Sequence, residues 1–177
     1  MLDYIRSDLF RYCGRCNFIV FIKTYFRNRT FRFQVAFRLA HGKGLLKIFG
    51  MFLFLLNRTR KQIQIPLRTQ IGYGLYIGHH GPIVANPTAV IGNNVNLSQF
   101  TTIGSNKGKA AIIGDNVYIG PSVCIIENVK IGNNVTIGAG SIVTKDIPDN
   151  ATVAGNYAKV LNYNNPGRFV NNRWPIK

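Results

Sequence analysis

The side chains best suited to acid–base chemistry are two neighbouring histidines, His79 and His80. A neutral imidazole titrates near physiological pH, so it can take a proton from an attacking hydroxyl and return it to a leaving group. Adjacent side chains of an extended backbone point to opposite faces, so at most one of the pair can serve a given cleft. The pair therefore predicts one general base beside one solvent-exposed histidine.

A metal site is the less favoured use of these residues. The third histidine of the chain, His41, lies far away in a basic N-terminal segment, and a catalytic zinc ion needs at least three protein ligands. Cys13 and Cys16 form a lone C-x-x-C pair one helical turn apart, with no further ligands nearby. We therefore predict no metal, and this cysteine usage is typical of a cytoplasmic chain.

The histidine pair lies inside a hexapeptide repeat that runs from Ile65 to about Pro148. A period of six differs from the 3.6 residues of a helix and the 2 of an ordinary strand, and it is the signature of a parallel β-helix. We predict an all-β solenoid with three hexads per turn. The two apolar columns are Ile113, Ile119, Ile125, Ile131, Ile137 and Val143, and, four places on, Val117, Val123, Val129 and Val135.

Two irregularities interrupt the period. The frame moves by two residues between Ile83 and Ala85, so one corner there holds extra residues. Residues 104–111 insert four polar or small residues and are predicted to form a projecting loop. The sequence thus divides into a basic, aromatic helical segment (1–62), the hexapeptide-repeat domain (63–150) and a C-terminal tail (151–177).

The N-terminal segment carries most of the charge. Of the net charge of +16, residues 1–64 contribute +11 and also hold 13 of the 21 aromatic residues. Such mixtures bind nucleic acid or anionic membranes. Residues 44–56 are apolar except for Lys47, a stretch too short to span a bilayer but suited to its interface.

We favour the membrane interpretation, which places the protein at the inner face of the cell membrane, and expect no nucleic acid. The alternative is that these helices only cap the solenoid and pack against neighbouring subunits. No cleavable signal is visible in the sequence, because the charged N-terminus lacks a contiguous apolar core followed by small residues.

Three stretches of the repeat, residues 74–92, 138–148 and 154–160, resemble the serine acetyltransferase branch of the left-handed β-helix acyltransferases. They look most like the members that O-acetylate bacterial surface polysaccharides. The resemblance covers about residues 62–161. It implies a left-handed solenoid, acetyl-CoA as acyl donor and a homotrimer with its sites between subunits.

The same resemblance assigns the catalytic base to His79. The family pairs that histidine with an aspartate fifteen positions earlier, where this chain has Gln64. An amide oxygen can orient the imidazole but cannot offset its positive charge. Two residues that hold serine in the family are also replaced, by Gly78 and by Ala110.

The acyl-donor residues implied by the resemblance lie in later coils. Ala139 lines the pantetheine groove, and lysine side chains meet the phosphates. In relatives, the residue after Gly120 offers its amide near the thioester; here it is Pro121, which has no N–H, so Ser122 is the candidate donor. The implied donor residues are Lys109, Gly120, Ala139, Thr144 and Lys145, with Lys107 and Lys159 as further phosphate contacts.

These observations predict an acetyl-CoA-dependent O-acetyltransferase that acts on a sugar hydroxyl of a bacterial cell-surface polysaccharide or its precursor. The first alternative is a serine O-acetyltransferase, which Gln64, Gly78, Ala110 and the short N-terminal segment disfavour. The second belongs to another class: a non-catalytic basic protein that binds an anionic membrane or nucleic acid.

Overall fold

The computed structural model describes residues 1–106 and 108–176, without the side chains of residues 57–61. Four helices come first: α1 (Leu2–Cys13), α2 (Phe18–Arg27), α3 (Arg29–Ala40) and α4 (Gly44–Lys61). Asn17 and Asn28 cap α2 and α3 by accepting hydrogen bonds from backbone N–H groups of the first turn. No helix in the described ranges is both long enough and apolar enough to cross a membrane.

Fifteen short strands follow, and they stack into three sheets. The first sheet has the order β1-β4-β7-β10-β13, the second β11-β8-β5-β2, and the third β15-β14-β12-β9-β6-β3. All pairs are parallel except β14 with β15. The strands are β1 (Ile63–Gln64), β2 (Gln70–Ile71), β3 (Tyr76–Ile77), β4 (Ile83–Ala85), β5 (Val90–Ile91), β6 (Asn96–Leu97), β7 (Thr102–Gly104), β8 (Ile112–Ile113), β9 (Tyr118–Ile119), β10 (Cys124–Ile126), β11 (Lys130–Ile131), β12 (Thr136–Ile137), β13 (Ile142–Val143), β14 (Thr152–Ala154) and β15 (Lys159–Asn162).

The predicted left-handed parallel β-helix is confirmed, with about four turns. Its inward residues are the aliphatic columns of the hexapeptide repeat, all buried. At the corners between the second and third sheets, asparagines adopt left-handed backbone conformations, and each side-chain amide donates to the next one along the stack. That ladder consists of Asn94, Asn116, Asn134 and Asn150.

The third sheet continues into the segment that the sequence interpretation assigned to a tail. Strand β14 pairs with β12, and β15 turns back antiparallel along it. Beyond β15 the chain returns along the third sheet, where Phe169 packs on Tyr118 and accepts a hydrogen bond from Asn96 through its carbonyl.

The helical segment packs on the third sheet through α3, which is buried along most of its length. Thr30 and Gln34 donate to the carbonyls of Ile77 and Leu75 at 2.7 and 2.6 Å. One turn later Arg38 donates to the carbonyls of Ile71, which ends β2, and of Gly72. Residues four apart share a helical face, so this stripe is polar although it is buried.

Asp8 of α1 completes the junction. Its carboxylate is fully buried and accepts two hydrogen bonds from Arg38, at 2.9 and 3.0 Å, and one from the Leu75 N–H at 2.8 Å. Burial raises the pKa of Asp8, and the charge of Arg38 opposes that shift. Three elements, α1, α3 and the first coil, therefore meet at one ion pair.

Replacing Arg38 with Met should lower the free energy of unfolding by about 3–5 kcal/mol, because a buried carboxylate would lose its charged partner. Chemical denaturation followed by circular dichroism measures this loss. The matched control is Arg6→Met, which removes the Arg6–Asp3 pair, whose side chains are 60% and 67% exposed. That change should cost less than about 1 kcal/mol. Equal losses would contradict the role given to the buried pair.

Candidate active site

His79 and His80 lie in the corner between β3 and β4, and both are exposed. This corner holds the two extra residues of the repeat: inward Ile77 and Ala85 are eight positions apart, whereas inward Ile119 and Ile125 are six apart. The parallel strands cannot absorb an insertion without losing register, so the corner projects. Neither imidazole makes a hydrogen bond to the part of the chain that the structure describes, which leaves both free to meet a ligand.

The local structure explains why position 78 holds a glycine. A Cβ atom at this position would lie 2.9 Å from Cε1 of Tyr76, closer than van der Waals contact allows. Tyr76 is itself held against Tyr12 of α1, with ring centroids 4.8 Å apart. The position before His79 therefore cannot hold a larger side chain unless Tyr76 moves.

Gln64 lies on β1 with its side chain exposed on the outer face of the first sheet, in register with Val84 of β4. It makes no hydrogen bond with His79 in the described structure. The structure thus places Gln64 on β1 and His79 in the corner before β4, and no hydrogen bond joins them as a catalytic dyad.

Gly120 and Ala139 share an edge of the solenoid with His79. We call this the histidine edge; it comprises the corners 78–82, 98–101, 120–123 and 138–141, which connect the third sheet to the first. A Cβ atom at Gly120 would lie 2.8 Å from the Ile137 carbonyl oxygen and 2.9 Å from the Ala139 nitrogen. The close approach of successive corners therefore requires glycine at position 120.

A backbone N–H group of this edge can bind a ligand only if it has no hydrogen-bond partner within the chain. The Ser122 N–H donates to the Gln99 carbonyl at 3.0 Å, so this backbone amide is already satisfied within the chain. The Gly120 and Gly140 N–H groups also have carbonyl partners. The Ala139 N–H has no hydrogen-bond partner among the described residues.

Gln99 belongs to the histidine edge and was missed by the sequence analysis. A Cβ atom at Gly81 would lie 2.7 Å from the Gln99 Cβ, so its side chain lies directly beneath the histidine corner. Its amide oxygen is buried and, of the buried side-chain polar atoms of the described residues, it is the one without a hydrogen-bond partner. Apolar periodicity gives no signal for such a residue, because it lies between inward positions.

Lys109, Thr144 and Lys145 come together at a different edge. They line an open pocket of about 540 Å³ together with Glu127 and Asp146. We call this the lysine edge; it comprises the corners 86–89, 105–111, 127–129 and 144–146, which connect the first sheet to the second. Of the two further lysines, Lys159 lies on β15 of the third sheet, and Lys107 lies outside the described residues.

The loop that carries Lys109 is tied to the solenoid at both ends. Ser105 Oγ and the Asn106 N–H donate to the Glu127 carboxylate, at 2.9 and 3.2 Å. The Ala110 N–H donates to Thr88 Oγ1 at 2.9 Å. The predicted projecting loop is therefore anchored, which holds Lys109 at the mouth of the pocket.

The two edges bound opposite ends of the same strands. Strands β4, β7, β10 and β13 of the first sheet start at the histidine edge and end at the lysine edge. On one chain the predicted base and the predicted phosphate contacts are therefore separated by the width of this sheet.

The other candidate metal ligands have structural partners. Both ring nitrogens of His41 lie 2.8 Å from carbonyl oxygens, of Phe37 and of Leu67, and they tie the end of α3 to the first corner. The Cys16 thiol donates a hydrogen bond to the Arg6 carbonyl. Within the described residues no group of three or more His, Cys, Asp or Glu side chains could hold a metal ion.

Comparison with known proteins identifies the family. Residues 110–145 match the family described as bacterial transferase hexapeptide (six repeats). Serine acetyltransferase 3 of Arabidopsis thaliana is 35% identical over 132 residues, which cover 71% of this chain and 34% of the relative. The serine acetyltransferase of Synechococcus elongatus is 30% identical over 137 residues, which cover 74% and 56%. The chain spans about a third to somewhat over half of the length of such curated relatives.

Solved structures agree with these relatives. The Neisseria gonorrhoeae serine acetyltransferase in complex with serine has a TM-score of 0.69 at 30% identity, over 88% of this chain and 67% of that chain. The soybean enzyme complexed with serine has a TM-score of 0.72 at 28% identity, over 89% and 68%. The Brucella abortus enzyme in complex with coenzyme A has a TM-score of 0.71 at 26% identity, over 89% and 66%.

The fold and the repeat together define a hexapeptide-repeat transferase. This chain belongs to that family, and the relatives and structures named above are serine acetyltransferases. The predicted kinship with polysaccharide O-acetyltransferases is therefore wrong, and so is the sugar hydroxyl as acceptor; the alternative, serine, is favoured. These comparisons give no support to the predicted membrane association.

Proposed function

We propose that this chain transfers the acetyl group of acetyl-CoA to the hydroxyl of serine. The observation that carries the proposal is the similarity of 88% of the chain to a serine acetyltransferase solved with serine. A related structure with coenzyme A supports the choice of acyl donor. The exposed His79 supplies the acid–base group that such a transfer needs.

In the proposed reaction, His79 accepts the proton of the serine hydroxyl as its oxygen attacks the thioester carbonyl carbon. A C–O bond forms and the C–S bond breaks. The imidazolium then gives its proton to the coenzyme A thiolate, which leaves as the thiol. No covalent enzyme intermediate is required.

We propose a positioning role for Gln64, for which its side chain must approach His79 more closely than in the described structure, where the two make no hydrogen bond. Its neutral side chain can accept from an imidazole N–H and so fix the tautomer of His79. Because an amide carries no charge, it would stabilise the imidazolium less than an aspartate does. We therefore expect His79 to act with orientation but little electrostatic support.

The active assembly is proposed to be a homotrimer. The histidine edge and the lysine edge lie at opposite sides of the first sheet, so one chain does not bring base and phosphate contacts together. A neighbouring copy related by a threefold axis can present its lysine edge to the histidine edge of the first. Lys109 and Lys145 would then bind the phosphates of acetyl-CoA while His79 of the neighbour meets the acceptor.

The first prediction concerns the acceptor and the base. Thiol release from acetyl-CoA should depend on added L-serine. His79→Ala should lower its rate by about 10²–10⁴, the range for loss of a general base. His80→Ala is the matched control and should retain most of the activity. Serine-independent thiol release would contradict the acceptor, and equal small losses in both variants would contradict the base.

The second prediction concerns the acyl donor. Lys145→Ala should raise the KM for acetyl-CoA by about tenfold, because a hydrogen bond to a charged group contributes at least about 1.5 kcal/mol. The KM for serine should stay unchanged. Lys23→Ala, an exposed lysine of α2, is the control. Steady-state kinetics with each substrate varied in turn measures both KM values. Equal KM values for acetyl-CoA in Lys145→Ala and Lys23→Ala would contradict the assignment of Lys145.

The third prediction concerns the shared site. Light scattering should give the mass of a trimer. Mixing His79→Ala chains with Lys145→Ala chains and letting subunits exchange should restore part of the activity, since some interfaces then carry both intact residues. A stable, active monomer, or no recovery after proven exchange, would refute a site built from two chains.

A further inference from the structure

Helix α4 exposes an apolar face that the solenoid does not cover. Leu45, Ile48 and Phe52 are 84%, 66% and 59% exposed. Only a narrow stripe is buried: Phe54 packs on α3, and Gly50 passes so close to Leu39 that a Cβ atom would overlap its backbone. The other exposed apolar side chains of α4 are Leu46, Phe49, Met51, Leu55 and Leu56.

Helix α2 exposes a second set of apolar side chains. Phe18 and Ile19 are each 78% exposed, and Phe26 is 69% exposed. Beside them an apolar pocket of about 400 Å³ opens between α1, α2 and α3, with Arg6 at its wall. Its apolar lining comprises Leu2, Ile5, Leu9, Phe18, Phe21, Val35 and Leu39.

Helices α2 and α4 pack on faces of α3 that do not contact the solenoid. The solenoid takes the stripe of Thr30, Gln34 and Arg38. Phe31 and Val35 pack against α1 and α2, and Leu39 lies between the apolar pocket and Gly50 of α4. The exposed apolar side chains of α4 are neighbours on one helix, and soluble monomers rarely leave an apolar surface of that kind without a partner for it.

The charge of the chain indicates what that partner is. No Asp or Glu occurs between Asp8 and Asp115, so every ionised side chain of α2 and α4 is basic. All six acidic residues already have partners within the chain. Those partners are Arg6 for Asp3, Arg38 for Asp8, the Asn93 N–H for Asp115, Ser105 and Asn106 for Glu127, the Lys130 N–H for Asp146 and the Asn133 N–H for Asp149.

We propose that α2 and α4 dock on an anionic lipid surface, with their apolar side chains among the acyl chains and their basic side chains among the head groups. An amphipathic surface of this kind gains from apolar burial and from attraction to anionic lipid. The bilayer leaflet with that charge is the cytoplasmic one. The proposal goes beyond acetyl transfer and does not rest on it.

Two other occupants fit the observations less well. A second copy docked through the same surface would bring basic helices against basic helices, because neither α2 nor α4 contains an acidic residue. Proteins bind nucleic acid through basic side chains and through polar side chains that reach base edges. The exposed residues of α4 between Leu45 and Leu56 are instead mainly Leu, Ile, Phe and Met. Lipid alone matches both the apolar surface and the positive charge.

The test is cosedimentation of the full chain with vesicles. Binding to mixed phosphatidylglycerol and phosphatidylcholine should be strong at low salt, weaken as salt is raised, and be poor on phosphatidylcholine alone. The triple variant Leu45→Gln, Ile48→Gln, Phe52→Gln should bind about tenfold or more weakly, because three apolar side chains no longer insert. Glutamine keeps helix propensity, and circular dichroism would confirm folding.

Matched controls separate lipid insertion from general basicity. Leu161→Gln, Tyr163→Gln and Ile176→Gln remove three exposed apolar side chains elsewhere and should leave binding unchanged. Lys43→Gln with Lys47→Gln should weaken binding, whereas Lys130→Gln with Lys159→Gln should weaken it less. The proposal is overturned if the α4 triple variant binds as well as the parent. It is also overturned if that variant changes only the oligomeric mass in ultracentrifugation, or if the parent prefers duplex DNA to the vesicles.

Discussion

The candidate site depends on the stacking of inward aliphatic side chains from coil to coil. Each inward residue contacts its equivalent one turn away, and the backbone ladder pairs the same residues, so the register is fixed throughout the solenoid. Extra residues can then be accommodated only at corners. The histidine corner and the Lys109 loop are the two places where this chain departs from the period, and both carry the side chains suited to chemistry. Regularity in the core thus determines where irregularity can be used.

The period predicted the solenoid, its inward columns and its two insertions, because each is a direct consequence of apolar spacing. It could not predict how the helices attach. Helix α3 buries Thr30, Gln34 and Arg38 together with its phenylalanines, so its polar stripe faces inward and gives no amphipathic signal. Asp8 and Asp3 look alike in the sequence, yet one is fully buried and the other lies in an exposed pair. Long-range partners decide such differences.

The acceptor prediction failed for a related reason. It rested on carboxylates that are absent at positions 64 and 78, and an absent group does not identify the ligand that replaces it. The structure gives Gly78 a packing explanation, since Tyr76 occupies the space of its Cβ atom. Gln99, half-buried beneath the histidine corner, had no sequence signal at all. Residues implied by the resemblance could be placed on two edges, but their separation across one sheet emerged only from the strand order.

The positive charge of the N-terminal segment has two different uses. Arg11 and Arg38 are buried and donate to carbonyl and carboxylate oxygens of the solenoid and α1, so they serve the fold. Burial lowers the pKa of Arg11 to about 10, which still leaves it protonated at neutral pH. Net charge alone therefore does not indicate a ligand, because part of it is already satisfied internally. What distinguishes the remaining charge is its position: Lys43 and Lys47 are exposed at the start of the same helix that exposes Leu45 and Ile48. A surface that combines both properties is more specific evidence than either property separately.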